Sequence, residues 1–253
     1  MKTFTILGTG WLGLELAKSL QNQYKIKVSS RTKEKISFYE ELGFETYVLN
    51  EKQTNNLDKL LDCNYLFINF PPSKFDNYVE FLNTIYSYEK IKDIEKIFFI
   101  SSTSVYPKED GVYDENSVIN TPTSQKVFDA EIAIKDKTDV IFRCSGLIGG
   151  NRIAGKRLSA KEVKDSNSLV NHIHRDDIIS ATNFVIQNNI NGVFNLTASI
   201  TPTKKEVYKN NSIKHNFEPS IFLDISKKNR IIDGSKITKL GFKYKYENPL
   251  LFD

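Results

Sequence analysis

Cysteine, histidine and long apolar runs are all scarce in this chain. Its 253 residues hold two cysteines, Cys63 and Cys144. Each lies within or beside an apolar strand-like run, so both read as buried thiols in a reducing compartment and not as a disulfide scaffold. With three histidines, His172, His174 and His215, and no cysteine pair at ligand spacing, no metal site is expected. The most apolar stretches, Tyr65 to Ile68 and Ile97 to Ile100, are far shorter than the roughly 20 residues of a membrane span, so no membrane partner is expected. Met1-Lys2 runs straight into an apolar segment without a secretory or transit pattern, and these absences together lead to the cytoplasm. One-sided charge is lacking too: 35 Lys and Arg face 31 Asp and Glu, a net +4. The lysines are interspersed with acids, which describes a solvated surface, and no nucleic-acid partner is expected.

What is present is an ordinary globular composition, 40% hydrophobic and 26% charged, and an alternation of short apolar runs with helical spacing. Thr3–Leu7, Tyr24–Ser29, Phe44–Leu49, Asn64–Phe70, Ile97–Ser101 and Val140–Arg143 read as strands. Trp11–Leu20, Lys33–Leu42, Lys74–Tyr88 and Ser124–Ile134 read as helices between them. Short, continuously apolar strands alternating with helices predict an α/β fold, a doubly wound parallel sheet of Rossmann type. Beyond Gly146 the rhythm changes: residues 150–170 are irregular, Asp176–Gln187 is helical, Gly192–Leu196 looks like a returning strand, and Thr203–Asn211 is helical. The organisation read from this is a nucleotide-binding domain over 1–146 and a small C-terminal lobe over 147–253, with 176–196 returning to the sheet.

Gly8-Thr9-Gly10-Trp11-Leu12-Gly13 joins the first strand to the first helix. In that setting the three glycines serve a tight turn, close backbone approach to a pyrophosphate, and tight helix–strand contact. The first helical turn offers N–H groups to phosphate. Trp11 is either a cover over the loop or a packing residue. An NAD site would place an acid after the second strand, whereas this chain reads Ser29-Ser30-Arg31-Thr32. Arg31 can grip a 2′-phosphate, with Ser30 and Thr32 donating further bonds, so NADP is the expected cofactor and NAD the alternative. The other reading of Arg31 is a solvent-facing helix start.

Three further segments reach the carboxyl edge of the strands, where ligands bind in open α/β sheets. Asn69-Phe70-Pro71-Pro72 should border the cofactor. Ser101 to Pro107 brings several hydroxyls, which serve either a substrate oxygen or plain turn formation. Cys144 to Gly150 follows the strand Val140–Arg143 and should approach the nicotinamide end. Asn171 to Asp177 precedes a helix and reads as a structural junction, with one aspartate as N-cap and the other in the first turn.

Together these residues resemble the extended short-chain dehydrogenase/reductase family, the NAD(P)-dependent epimerases and dehydratases, in an atypical, shortened form. The likeness spans nearly the whole chain. Gly8 to Gly13 is similar to the family fingerprint, Ser101 to Pro107 to its Ser-Ser-x-x-Val-Tyr-Gly segment, Arg143 to Gly149 to its Arg-x-x-x-hydrophobic-Tyr-Gly stretch, and Asn171 to Asp177 to its Asn-x-Ile-His-x-Asp-Asp stretch. Leu240-Gly241-Phe242 resembles the terminal signature. The resemblance implies that Gly8, Gly10, Trp11, Leu12, Gly13, Ser30, Arg31, Thr32, Asn69, Phe70, Pro71 and Ser101 bind the cofactor, and that Ser102 holds the reacting oxygen. It also exposes a gap. Aligned on Pro122 and Glu131, the family's Tyr-x-x-x-Lys pair falls on Thr123 and Val127. A threonine hydroxyl beside valine cannot stand in for a tyrosine activated by an ammonium.

Two functions follow. One is an NADP-dependent oxidoreductase or epimerase on a small or sugar-like alcohol or carbonyl, with Tyr106 or His174 as the substitute proton donor. The other is a non-catalytic NADP(H)-binding sensor or partner-binding module. The helices at 74–88 and 124–134 are also candidates for pairing across a two-fold axis in a homodimer, or for simply covering the sheet.

Overall fold

Strand and helix alternate from the first residues of the computed structural model, which describes residues 1–252. In chain order come β1 (Thr3–Leu7), α1 (Trp11–Leu20), β2 (Lys25–Ser30), α2 (Ile36–Glu41), β3 (Glu45–Val48), α3 (Leu57–Leu60), β4 (Tyr65–Ile68), α4 (Tyr78–Tyr86) and β5 (Lys96–Ser102). After them come β6 (Gly111–Tyr113), α5 (Gln125–Ile134), β7 (Val140–Cys144), β8 (Gly146–Ile148), β9 (Glu162–Val163), β10 (His172–His174) and α6 (Arg175–Gln187). The chain closes with β11 (Gly192–Leu196), α7 (Lys204–Lys214), β12 (Ile221–Phe222), β13 (Arg230–Ile232) and α8 (Ser235–Lys239). No helix among the described residues is long and apolar enough to cross a membrane.

Seven strands hydrogen-bond in the order β11-β7-β5-β4-β1-β2-β3, and β1 pairs in parallel with both β2 and β4. The β2–β3 and β4–β5 pairs are parallel as well. This is the doubly wound Rossmann arrangement. The strand order reverses at β1, so the loop after β1 stands where such sheets bind ligands. Every residue of β4 and β7 is buried, as strands covered on both faces require.

By their contacts the residues fall into two units. The first comprises Met1–Ser101, Ser124–Phe142 and Ile190–Gly192; the second comprises Ser102–Thr123, Arg143–Asn189 and the residues from Val193 onward. The first unit has an aromatic seam, Phe4–Phe98 at 6.4 Å, Phe67–Phe98 at 6.1 Å and Phe98–Phe142 at 6.2 Å between ring centres. Burying side chains of this size stabilises by about 1.5–3 kcal/mol each. The second unit is threaded with paired short strands, β6 with β13, β8 with β10 and β9 with β12.

Two helices differ from their sequence expectations. Lys33–Leu42 is a 3-10 turn over Lys33–Lys35 followed by α2, in which only Tyr39 is buried. One anchor gives a longer helix little tertiary support. Lys74–Tyr88 is shortened to α4, because Phe75 takes an extended backbone and stacks on Phe81 at 4.9 Å instead of starting the helix.

Candidate functional site

In the first unit the loop after β1 is shaped by what its glycines lack. Gly8 has φ +88°, and a Cβ there would overlap the Asn69 carbonyl oxygen and lie 2.8 Å from its carbon. A Cβ on Gly13 would come within 2.9 Å of the Gly8 carbonyl oxygen and 3.0 Å of Ile6 Cγ2. Gly10 is the opposite case: a Cβ would meet nothing within 4 Å. Two glycines therefore let backbone and helix close up, and the third leaves open space at the start of α1.

The loop is braced from three sides. The Gly8 N–H donates to Ser29 Oγ at 2.9 Å and the Thr9 N–H to the Ser29 carbonyl at 3.2 Å. Asn69 Nδ2 donates to the Gly8 carbonyl at 3.3 Å, and the Tyr39 phenol to that of Thr9. Phe70 is buried against Phe75 and Phe81, with ring centres 5.2 and 5.3 Å apart. Gly10 occupies the N-cap of α1, where no side chain caps the helix and the first turn carries no acid. The positive dipole end of α1 therefore meets neither a capping side chain at Gly10 nor an acid in its own first turn.

Of the other residues expected near a cofactor, Leu12 is buried, Trp11 is half-buried and begins α1, and Pro71 is exposed. Ser30 is buried, while Arg31 and Thr32 are exposed immediately after β2. Arg31 is held through its backbone, its carbonyl accepting from Asn50 Nδ2 at 2.9 Å. Ser101 is turned to a different partner: its hydroxyl donates to Glu131 Oε2 at 2.6 Å, and both are buried. Val127 is half-buried on α5. Lys126, its neighbour, donates to the Phe75 carbonyl.

The second unit holds the remaining candidates. Ser102 Oγ accepts from the Ser104 N–H at 3.1 Å, which leaves its own hydroxyl hydrogen to donate. Tyr106 is fully buried; its phenol donates to Asn195 Oδ1 at 2.8 Å and accepts from Arg143 Nη1 at 2.8 Å. Burial raises its pKa against the opposing pull of Arg143. Thr123 is exposed, and its hydroxyl donates to the Tyr106 carbonyl at 2.8 Å. His174 is buried and stacks on Tyr246 at 3.7 Å. It is also the N-cap of α6: its Nδ1 accepts from the Asp176 N–H at 3.2 Å. That corrects the expectation of an aspartate cap. Asp176 and Asp177 both lie in the first turn, and the Asp177 carboxylate accepts from the N–H groups of Lys245 and Tyr246 at 2.8 and 3.0 Å.

Sequence reasoning passed over Ser29, Tyr39, Asn195 and Arg230. Ser29 and Tyr39 act on backbone atoms, which leave no pattern in a sequence. Arg230 follows Lys227-Lys228-Asn229 and so looks like part of a solvated basic run. Only the Ile231-Ile232 pair behind it hints at a strand.

No family model matches the chain. It is 30% identical to Protein YeeZ of Escherichia coli strain K12, over 99% of this chain and 98% of that protein. Among solved structures it is similar to a conserved protein of unknown function from Silicibacter pomeroyi DSS, with TM-score 0.82, 18% identity, and 100% and 96% of the two chains covered. It is similar also to a putative NAD-dependent epimerase/dehydratase from Methylobacillus flagellatus, with TM-score 0.76, 19% identity, and 98% and 94% covered. A third is the human epimerase family protein SDR39U1 (isoform 2) with NADPH, at TM-score 0.73, 16% identity, and 98% and 96% covered. At these identities the structures speak for the fold, which is that of the atypical extended short-chain dehydrogenase/reductases.

Proposed function

The chain belongs to the family of Protein YeeZ, and from that premise we propose that it binds NADP(H), with NAD(H) the weaker ligand, and acts as an oxidoreductase or epimerase on a small or sugar-like alcohol or carbonyl. The observation that carries this reading is the contrast within the glycine loop. Space is absent at Gly8 and Gly13 and open at Gly10, above a helix N-terminus that no side chain caps. That combination suits a pyrophosphate. The NADPH found with the human structure agrees with it.

The roles follow from the residues. The first turn of α1 holds negative charge through its N–H groups and dipole. Arg31, exposed and free of an adjacent acid in Ser30-Arg31-Thr32, takes the 2′-phosphate through a charge-assisted fork. Bound NADP(H) supplies or accepts a hydride. Ser102, whose acceptor side is occupied by the Ser104 N–H, donates to the reacting oxygen.

A second reading, cofactor binding without turnover, draws on the groups that would have to move the proton. The Tyr106 phenol is bonded on both sides in a buried site, and His174 caps a helix. Calorimetry with NADPH and NADH tests the binding claim, and tighter NADH binding contradicts it. Incubating the NADPH-loaded protein with a panel of sugars and small alcohols and carbonyls separates the readings: nicotinamide absorbance change or epimer formation supports the enzyme, and none across the panel supports the binding module.

A further inference from the structure

Arg230 is a cation held inside the second unit without an anion among the described residues. Its backbone is fixed on both sides. In β13 it lies opposite Gly111 of β6, and the Asn171 side chain donates to its carbonyl at 2.9 Å while accepting from the Ile232 N–H at 2.8 Å. Its guanidinium is half-buried and meets three neutral oxygens. Nη1 donates to the Pro107 carbonyl at 3.2 Å and to Thr123 Oγ1 at 3.4 Å, and Nη2 donates to the Thr103 carbonyl at 3.2 Å. Burial lowers its pKa, opposed by the neighbouring Tyr113 and Tyr106.

Carbonyls and a hydroxyl offset part of the desolvation of such a group, but they do not neutralise it. They also leave donors over. A guanidinium has five N–H groups; three are engaged here, so Nε–H and one Nη2–H remain. Those two nitrogens are adjacent members of the fork that meets carboxylate and phosphate oxygens in pairs. The surroundings are built of hydroxyl-bearing residues: Thr123 is exposed, and Ser102 precedes the Thr103 carbonyl with its hydroxyl hydrogen unassigned to any acceptor. The Thr123 hydroxyl hydrogen goes to the Tyr106 carbonyl, so Ser102 is the hydroxyl left to donate. A fixed, incompletely satisfied cation, open to solvent at the exposed Thr123, has the chemistry of an oxyanion site.

We infer that Arg230 is a substrate-binding residue and that the substrate carries an oxyanion, a carboxylate or a phosphate. This rests on the reading of the protein as one that acts on a small molecule, and it narrows that class to anionic members.

The test uses the full chain, saturated with NADPH so that the glycine loop and Arg31 are occupied, and labelled with 15N-arginine. The Arg230 Nε–H resonance is assigned by its disappearance in R230K. Inorganic phosphate is titrated in one arm and malonate in the other. The expected result is a saturable shift of that resonance in at least one arm, the responsive arm distinguishing phosphate from carboxylate, with affinity at least tenfold weaker in R230Q by calorimetry. R230K keeps the charge without the fork and should fall between the two. No shift with either anion, or equal affinity in R230Q, overturns the proposal and leaves Arg230 a staple between β13 and the 103–107 segment. NADPH affinity is recorded for each variant. Its absence in the wild type contradicts the cofactor reading, while the anion titration, repeated without NADPH in R31Q, still decides the role of Arg230.

Discussion

The glycine loop of the first unit and the hydroxyl-rich segments of the second solve opposite problems. Around Gly8 and Gly13 atoms are withheld so that backbone can approach backbone, and Gly10 leaves a vacancy that the chain does not fill. Around Tyr106 nearly everything polar is filled: phenol, guanidinium and amide satisfy one another through Arg143, Tyr106 and Asn195, and Thr123 adds its hydroxyl to the Tyr106 carbonyl. Open space above an uncapped helix start at the first place is ready for a ligand. The saturated Tyr106 phenol resists use as a proton donor, since a group already bonded on both sides must break those bonds before it can act. The difference teaches that the presence of a hydroxyl counts for less than what else it is holding.

The sharpest way to break the comparison is at Gly8. In G8A the new methyl meets the Asn69 carbonyl at a positive φ, where alanine is strained. Stability should fall by about 2–4 kcal/mol in denaturant titrations, and NADPH affinity with it. Wild-type stability and affinity in G8A would show that the loop is not tightly fitted. Next in size is Arg31. R31Q should weaken NADPH at least tenfold in calorimetry and change NADH less than twofold, because only one of the two carries a 2′-phosphate. Equal losses would remove Arg31 from the 2′-phosphate.

Y106F probes the saturated side. It leaves Arg143 and Asn195 short of one buried partner, a loss of about 1–3 kcal/mol. If the phenol is structural, melting shifts while NADPH affinity and any product formation per folded molecule stay; if it is the proton donor, product formation is lost. The smallest effect concerns His172, whose pKa burial lowers to about 4, helped by Lys204 and opposed by the Gly146 carbonyl. The folded state thus stays neutral while the unfolded chain takes up a proton near pH 6.5, so this group's contribution is full above 6.5 and declines as pH falls toward 4. The stability difference between wild type and H172Q should shrink over that window, and a constant difference would remove His172 from the pH response.

The first unit was legible because its signals are strong and local. Continuous apolar strands, helical spacing and three glycines at a strand–helix junction each specify geometry within a few residues. Even there, nothing in the sequence marks where Lys27 sits: it is buried, with its ammonium bonded to the carbonyls of Lys59 and Asp62 at 2.7 and 2.8 Å. The second unit was hard to read because its strands run two or three residues, too short for any period, and pair with segments as distant as β6 and β13. A decisive contact such as Asn171 clamping β13 joins residues 59 and 61 positions apart, which no local pattern marks. His174 drew attention as a proton donor because histidine is a common acid–base residue, while its location gives it a cap to hold.

The measurement that bears most directly on the central claim is a crystal structure of the protein soaked with NADPH. The account predicts pyrophosphate density over Gly10, within hydrogen-bonding distance of the first N–H groups of α1, and a 2′-phosphate at Arg31. Density for the cofactor elsewhere, or a bare helix terminus in crystals of protein that calorimetry shows to bind none, would contradict it.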